Sequence, residues 1–393
     1  MVMVIQEKHA VLPQSTLDEA ARQEFVNQLG KHVLNEFTPG NKAAYDKEVL
    51  PAFERANGRD PKNRHEIRKE MLSHPYYQMT SSFQRTIQEM MWNSVDETIQ
   101  RQLPQLIAKA EEIAKGPTKG SLALKPDFDI PRYVSENDHH AMPGGYATDL
   151  CPGDITAGAL YDKGAFIYTQ GLFGPRMDGV GKAASLMIKR TWPDLAPKKI
   201  LEIGCTAGGS TIGIAANFPD AEIHAIDVGP ALLRYAHARA ESFGVPIHFH
   251  QMSGEALEFA DESFDLVCCL ASLHETAYQA TFNIFKEAHR VLKPGGKFLC
   301  SELPPYEGLD AWTQFVRDWD TYNNAEPYWG RVHELDFGDA AEQAGFSRAN
   351  YNQGHGPGIA EANALTQAVE VQNKKFMGST RGGGQAWYAW MTK

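Results

Sequence analysis

Long hydrophobic runs are missing from this sequence: no stretch approaches the ~18 apolar residues that a membrane span requires. A basic surplus is missing too. The 49 acidic side chains outnumber the 38 basic ones, for a formal charge of -11, and such a field repels a phosphate backbone unless the cations gather in one patch, which they do not. Cysteine is scarce, at five residues (Cys151, Cys205, Cys268, Cys269 and Cys300). An odd number, four of them inside apolar or glycine-rich segments, reads as reduced thiols in a reducing compartment. The opening stretch MVMVIQEKHA lacks the basic flank and apolar core of a secretory signal. Cytoplasmic residence is therefore the expectation, and neither repeats nor low-complexity tracts occur.

What is present fits a folded, water-soluble chain. Hydrophobic residues make up 42% and charged residues 22% of 393 positions, and the mean hydropathy is -0.40, close to ordinary globular composition. That length exceeds what one core usually serves. Residues 1–115 read as an all-helical subdomain. Thr16-x-x-Glu19 is a capping box, Phe25, Leu29, His32, Val33 and Phe37 follow at helical spacing up to Pro39-Gly40, and further helices are predicted over 42–56, 64–73 and 82–115, with Pro104 dividing the last. Residues 116–192 are rich in glycine, proline, aspartate and aromatics, and read as a connecting, lid and site-forming region. From 193 to 393 short apolar strands (200–203, 222–226, 247–250, 264–270, 297–300, then 347–353 and 386–392) alternate with helices (210–217, 231–243, 276–292). That rhythm predicts an α/β fold: a doubly wound, mostly parallel, seven-stranded sheet. Gly382-Gly383-Gly384 reads as a turn before the last strand.

The stretch Leu201-Glu202-Ile203-Gly204-Cys205-Thr206-Ala207-Gly208-Gly209-Ser210-Thr211 lies between a buried strand and a helix. Small residues there let the backbone turn tightly and approach a ligand, and the helix start offers free N–H groups. The next strand ends in Asp227, placed to accept hydrogen bonds from both hydroxyls of a ribose. Together these make a nucleoside site. A dinucleotide loop would want G-x-G-x-x-G; here Glu202 precedes Gly204, and an acid there disfavours a pyrophosphate but suits a cationic ligand.

This arrangement resembles the class I S-adenosylmethionine-dependent methyltransferase family. Glu202-Ile-Gly204-Cys-Thr-Ala-Gly208 follows its first motif, E/D-x-G-x-G-x-G, except that Thr206 replaces the middle glycine. Asp227 matches its ribose-binding acid, Gly254-Glu255-Ala256 its "G-D-A" turn at the adenine, and Phe264–Val267 with Leu270–Glu275 its fourth strand and active-site edge. Glu287–Lys297 resembles its "R-V-L-K-P-G-G" helix end. The resemblance implies S-adenosylmethionine as cofactor, S-adenosylhomocysteine as product, and a cofactor set of Glu202, Gly204, Cys205, Gly208, Asp227, Val228, Gly254, Glu255, Ala256 and Leu270, with Tyr161 of an upstream aromatic segment.

Methyl transfer from a sulfonium is an in-line displacement that needs a held nucleophile more than a base. His274, just past strand four, is the first candidate for contact or base, with Tyr168 and His140 as further catalytic candidates. Tyr146, Gln170, Glu275, Tyr328, Trp329 and His333 are candidates for lining the acceptor, Glu275 alternatively capping the following helix. No metal is expected, because the adjacent His139 and His140, with Asp138, cannot readily converge on one ion. The acceptor is expected to be a small molecule methylated on oxygen, nitrogen or sulfur, with no nucleic acid or membrane partner and a homodimer contact through the N-terminal helices. Alternatives are a protein- or RNA-modifying methyltransferase, a cofactor-binding protein that transfers no methyl group, and a nicotinamide dehydrogenase.

Overall fold

The computed structural model describes residues 4–367 and 385–393; the expected turn at 382–384 lies outside them. The capping box forms as read. The Thr16 hydroxyl accepts from the Glu19 amide at 3.2 Å while the Glu19 carboxylate accepts from the Thr16 amide at 2.7 Å, and the helix Leu17–His32 follows. Its inward face differs from the expected one. Of Phe25, Leu29, His32, Val33 and Phe37 only Val33 is buried, and Phe25 is 61% exposed. Gln23 turns inward instead, because its amide donates to the Ser94 carbonyl and the Thr98 hydroxyl of a neighbouring helix. That neighbour is Pro75–Gln100, which begins well before the expected Ser82: Pro75 sits in the first turn, where its missing N–H costs nothing. Pro104 likewise lies in the first turn of the next helix, Leu103–Lys115.

The sheet has eight strands rather than seven: β1 (Ser121–Ala123), β2 (Lys199–Ile203), β3 (Glu222–Asp227), β4 (His248–Gln251), β5 (Phe264–Leu270), β6 (Leu292–Glu302), β7 (Tyr351–Pro357) and β8 (Gln385–Thr392), in the order β1-β4-β3-β2-β5-β6-β8-β7. The extra strand is β1, which pairs in parallel with β4 and belongs to the segment read as connecting. β8 runs antiparallel to both β6 and β7. β6 starts at Leu292 rather than Lys297, since the Lys-Pro-Gly-Gly turn is drawn into the sheet by the bond from the Gly295 amide to the Lys393 carbonyl. Parallel strands with buried faces read as continuous apolar runs, and β2 and β5 obey this: all but Lys199 and Asp265 are buried.

Chain order runs outward from β2 to β3 and β4, then returns across the sheet to β5 and β6. The crevice where that reversal occurs, beyond the carboxyl ends of β2 and β5, is where such sheets hold ligands. Helices Gly209–Asn217, Pro230–Ser242 and Tyr278–Val291 pack on the sheet. Over the crevice, Trp92, Val95 and Ile99 of the long N-terminal helix share a core with Leu160 and Tyr235. A smaller core joins Tyr45, Ile67, Met71 and Tyr77 to Phe315 in the insertion after β6. There Arg64 Nε donates to Asp318 at 2.9 Å and its Nη2 to Glu334 at 2.7 Å. No helix among the described residues is long and apolar enough to cross a membrane.

Candidate active site

Between β2 and the helix that follows, the backbone turns through three left-handed residues: Gly204 at φ 77°, Thr206 at φ 44° and Gly208 at φ 73°. Thr206 stands where the motif has a glycine and carries the strain that a β-branched residue meets there. Its amide is held in return, donating to Asp227 Oδ2 at 2.9 Å, while Oδ1 accepts from the Gly229 amide at 3.0 Å. Thus the end of β3 fastens the turn after β2. Burial raises the Asp227 carboxyl above its ordinary range against these N–H bonds.

Gly204, Thr206, Asp227, Val228, Met252, Gly254 and Leu270 all line one cavity of about 460 Å³. Other members of the sequence-derived cofactor set do not reach it. Glu202 is wholly buried behind the turn, where it accepts from the Thr211 hydroxyl, and burial pushes its carboxyl up to about 7. Its expected contact with a cationic ligand therefore becomes support of the helix start. Cys205 is buried and Gly208 is packed against Ala236 and Phe249; neither lines the cavity. Glu255 is occupied by Tyr133 and Asn283, each at 2.8 Å, and Ala256 is exposed. Of the Gly254-Glu255-Ala256 turn only the glycine lines the cavity.

At the other end the cavity is lined by Tyr146, His140, His274, Glu275 and Trp329, roofed by Gln88 and Trp92; Tyr168 and Tyr161, the latter beside Thr206, also line it. His140 is set by an unusual backbone, φ 57° and ψ 17°, with Ala141 at φ 55°. Gln88 Nε2 and Trp92 Nε1 both donate to its carbonyl, at 3.0 and 2.8 Å. Its ring lies between two carboxylates: Nδ1 is 2.6 Å from Glu326 and Nε2 is 2.9 Å from Glu275. His274 repeats the pattern, with Nδ1 2.6 Å from Glu302 and Nε2 3.5 Å from Glu275. Burial by itself would lower His140, but Glu326 and Glu275 overcome it and lift the ring to about 10. The same opposition, with Glu302 the strongest partner, holds His274 well above the ordinary histidine range. Burial would raise Glu275, yet His140 and His274 keep it well below its usual value. Glu326, buried and facing Glu275, is pushed up to about 8.

The remaining acceptor candidates stand back. Gln170 is at φ 57° outside the cavity. Tyr328 packs edge-on against Tyr133 at 6.2 Å. His333 is buried, stacked on Tyr306 at 4.2 Å with Nδ1 2.5 Å from the Pro304 carbonyl, and burial lowers it to about 4. Glu275 bonds histidines and Tyr146 (3.1 Å) rather than capping a helix; Ala277 is the residue at that helix start. Sequence reasoning missed Glu302 and Glu326, Gln88 and Trp92. Only Glu302 carried a signal, an acid ending an apolar strand, as Asp227 does in β3.

Residues 200–296 match a family model described as a methyltransferase domain. Among similar proteins are the demethylmenaquinone methyltransferase of Thermus thermophilus, 31% identical over 33% of this chain and 62% of its own, and the ubiquinone biosynthesis O-methyltransferase of Pseudomonas syringae pv. tomato, 33% identical over 28% of this chain and 46% of its own. A bifunctional biotin biosynthesis protein of Teredinibacter turnerae is 34% identical over 29% of this chain and 21% of its own. The chain thus spans less than two thirds of each of these relatives. Among solved structures, phosphoethanolamine N-methyltransferase 2 of Haemonchus contortus, in complex with phosphomonomethylethanolamine and S-adenosylhomocysteine, aligns at 18% identity and a TM-score of 0.41 over 59% of this chain and 57% of that one.

Proposed function

We propose that this chain, a member of the class I methyltransferase family through its domain at residues 200–296, transfers a methyl group from S-adenosylmethionine to a small-molecule acceptor. One observation carries the reading: the glycine turn after β2 and Asp227 at the end of β3 meet on the wall of the same cavity that His140, His274 and Glu275 line at its far end. The residues present fit the cofactor. Asp227 keeps acceptor capacity for the ribose, since the Thr206, Gly229 and Val228 amides do not use all four of its acceptor sites. Val228, Met252 and Leu270 give a flat base apolar walls, and Gly254 has no room for a side chain, as a Cβ there would stand 2.7 Å from Ile203. Tyr146, Tyr161 and Tyr168 add aromatic side chains to the cavity wall, which suit a sulfonium.

Bound there, the cofactor would supply an electrophilic methyl carbon already activated by the positive sulfur. The protein's share is to exclude water and hold the acceptor in line. His274 and His140, each with its Nδ1 tied to a buried carboxylate, present a fixed Nε2 beside Glu275 on the cavity wall, where they are suited to contact the acceptor. A small acceptor agrees with walls contributed by Gln88, Trp92, Tyr133 and His140 on the N-terminal side. A homodimer through the N-terminal helices is supported by Leu17, Phe25, Phe83 and Met90, which are exposed there, and light scattering reads it directly. Cytoplasmic residence accords with five free cysteines.

Calorimetry with S-adenosylhomocysteine tests the cofactor, and tritium transfer from labelled cofactor into the small-molecule fraction of a lysate tests the acceptor class. Micromolar binding with label in that fraction is expected. Absent heat, or thermal stabilisation by NAD alone, would overturn the cofactor assignment; label in protein or RNA would overturn the acceptor class.

A further inference from the structure

We infer that His140, His274 and Glu275 form a binding site for a first-row divalent cation such as zinc at the acceptor end of the cavity. Their ligand atoms all lie within 4.8 Å of one another. Glu275 Oε1 is 2.9 Å from His140 Nε2 and 3.5 Å from His274 Nε2. Two donors each about 2.1 Å from a common ion stand about 3.0 Å apart at octahedral and about 3.4 Å apart at tetrahedral angles, so these separations are edges of an ordinary coordination polyhedron. Two imidazoles and one carboxylate are also a donor set suited to zinc or iron(II) and poorly suited to magnesium or calcium.

The surroundings make the stronger case. A metal-binding imidazole usually donates its other N–H to a carboxylate, which fixes tautomer and ring plane. Both histidines do this here: His140 Nδ1 reaches Glu326 and His274 Nδ1 reaches Glu302, each at 2.6 Å, and both acids are buried. His274 is oriented further by two elements, since the Leu273 amide donates to Glu302 Oε2 at 2.8 Å and the Trp329 ring lies edge-on at 5.0 Å. With Asp320, also buried, the region holds four acids, Glu275, Glu302, Glu326 and Asp320, around three histidines, His139, His140 and His274, and a divalent ion would offset the acids. Glu275 Oε2 is buried without a hydrogen-bond partner, as are both ring nitrogens of His139, whose Nε2 lies 3.5 Å away. The adjacency of His139 and His140 in sequence was the reason to expect no metal. It does not bear on this site, whose other ligands come from the β5 edge.

Three protein ligands leave coordination positions open, and His140, His274 and Glu275 all line the cavity. An acceptor presenting a hydroxyl, thiol or carboxylate oxygen would complete the shell, and the ion would favour its deprotonated form.

The full-length chain, stripped with a chelator, is titrated with Zn²⁺ by calorimetry and with Co²⁺ by visible absorption. One equivalent of zinc at micromolar or tighter Kd is expected, with cobalt bands of a nitrogen and oxygen site. His274→Ala and Glu275→Gln should each weaken zinc at least 100-fold, and Glu302→Gln, which touches no ion, about 10-fold or more. S-adenosylhomocysteine binding, measured on the same samples, reports folding and the cofactor site separately, so a failure of either assignment is visible alone. Zinc binding weaker than millimolar, or equal in wild type and all three variants, would overturn the site.

Discussion

The two ends of the cavity are made in different ways. The end around β2 and β3 is a backbone device: three left-handed residues between 204 and 208, fastened by the hydrogen bond from the Thr206 amide to the Asp227 carboxylate, which the Gly229 amide holds from its own side. The end around His140 is a side-chain device, in which His140, the adjacent pair His274 and Glu275, Glu302 and Glu326 come from four separate stretches of chain and hold one another by ionic hydrogen bonds. A turn of the first kind depends on neighbours in sequence. A cluster of the second kind depends on how the roof docks on the sheet, so damage far from it should reach it.

The sharpest test of that division is Asp227→Ala. It removes the proposed ribose acceptor and the anchor of the turn at once, and charge-assisted bonds of this kind contribute about 1.5–3 kcal/mol each. Cofactor affinity measured by calorimetry should fall at least ~100-fold while zinc binding at the other end stays within about threefold. Comparable loss at both ends would erase the distinction. Arg64→Ala tests the opposite arm. Asp318, 3% exposed, would lose its buried cation, an effect of about 3–5 kcal/mol in urea unfolding. The folded fraction should bind S-adenosylhomocysteine normally, and an unchanged midpoint would mean that the roof is not held there.

A third test uses pH. Glu202, wholly buried, titrates near 7 instead of its ordinary 4.5. Because the folded value is the higher one, its favourable contribution is complete below pH 4.5 and is lost as pH rises through 7, amounting to about 3 kcal/mol at most. Glu202→Gln should flatten that part of the stability curve, and an identical slope in the variant would place the proton elsewhere. The smallest effect is expected for Thr206→Gly, which relieves a left-handed β-branched residue worth about 1 kcal/mol. Melting should rise slightly or stay level, whereas a loss above about 1 kcal/mol would show that the Thr206 side chain supports the turn more than its backbone resists it.

Legibility in the sequence follows the same division. β5 was readable to the residue because an uninterrupted apolar run of that length between turns fits a buried strand and little else. The Thr16 capping box was readable because both partners lie within one turn of the same segment. β1 was not, since Ser121–Ala123 is a three-residue edge strand with exposed ends whose meaning comes from β4. Asp227 and the glycine turn carried their own signal. Glu202, although in the right motif, faces away from the cavity, because alternation along β2 leaves its side chain behind the turn. Glu326 looked like any acid in a polar insertion. Only the docking of that insertion under residues 139–141 buries it, and no local pattern encodes docking.

The carbonyl of His140 receives both Trp92 and Gln88 from the long helix above it. This pair of tethers ties the ceiling to the peptide that carries the imidazole: a shift of that helix outward would break both bonds and release a peptide held at φ 57°. The position of that helix and the backbone of His140 are therefore coupled through one carbonyl oxygen.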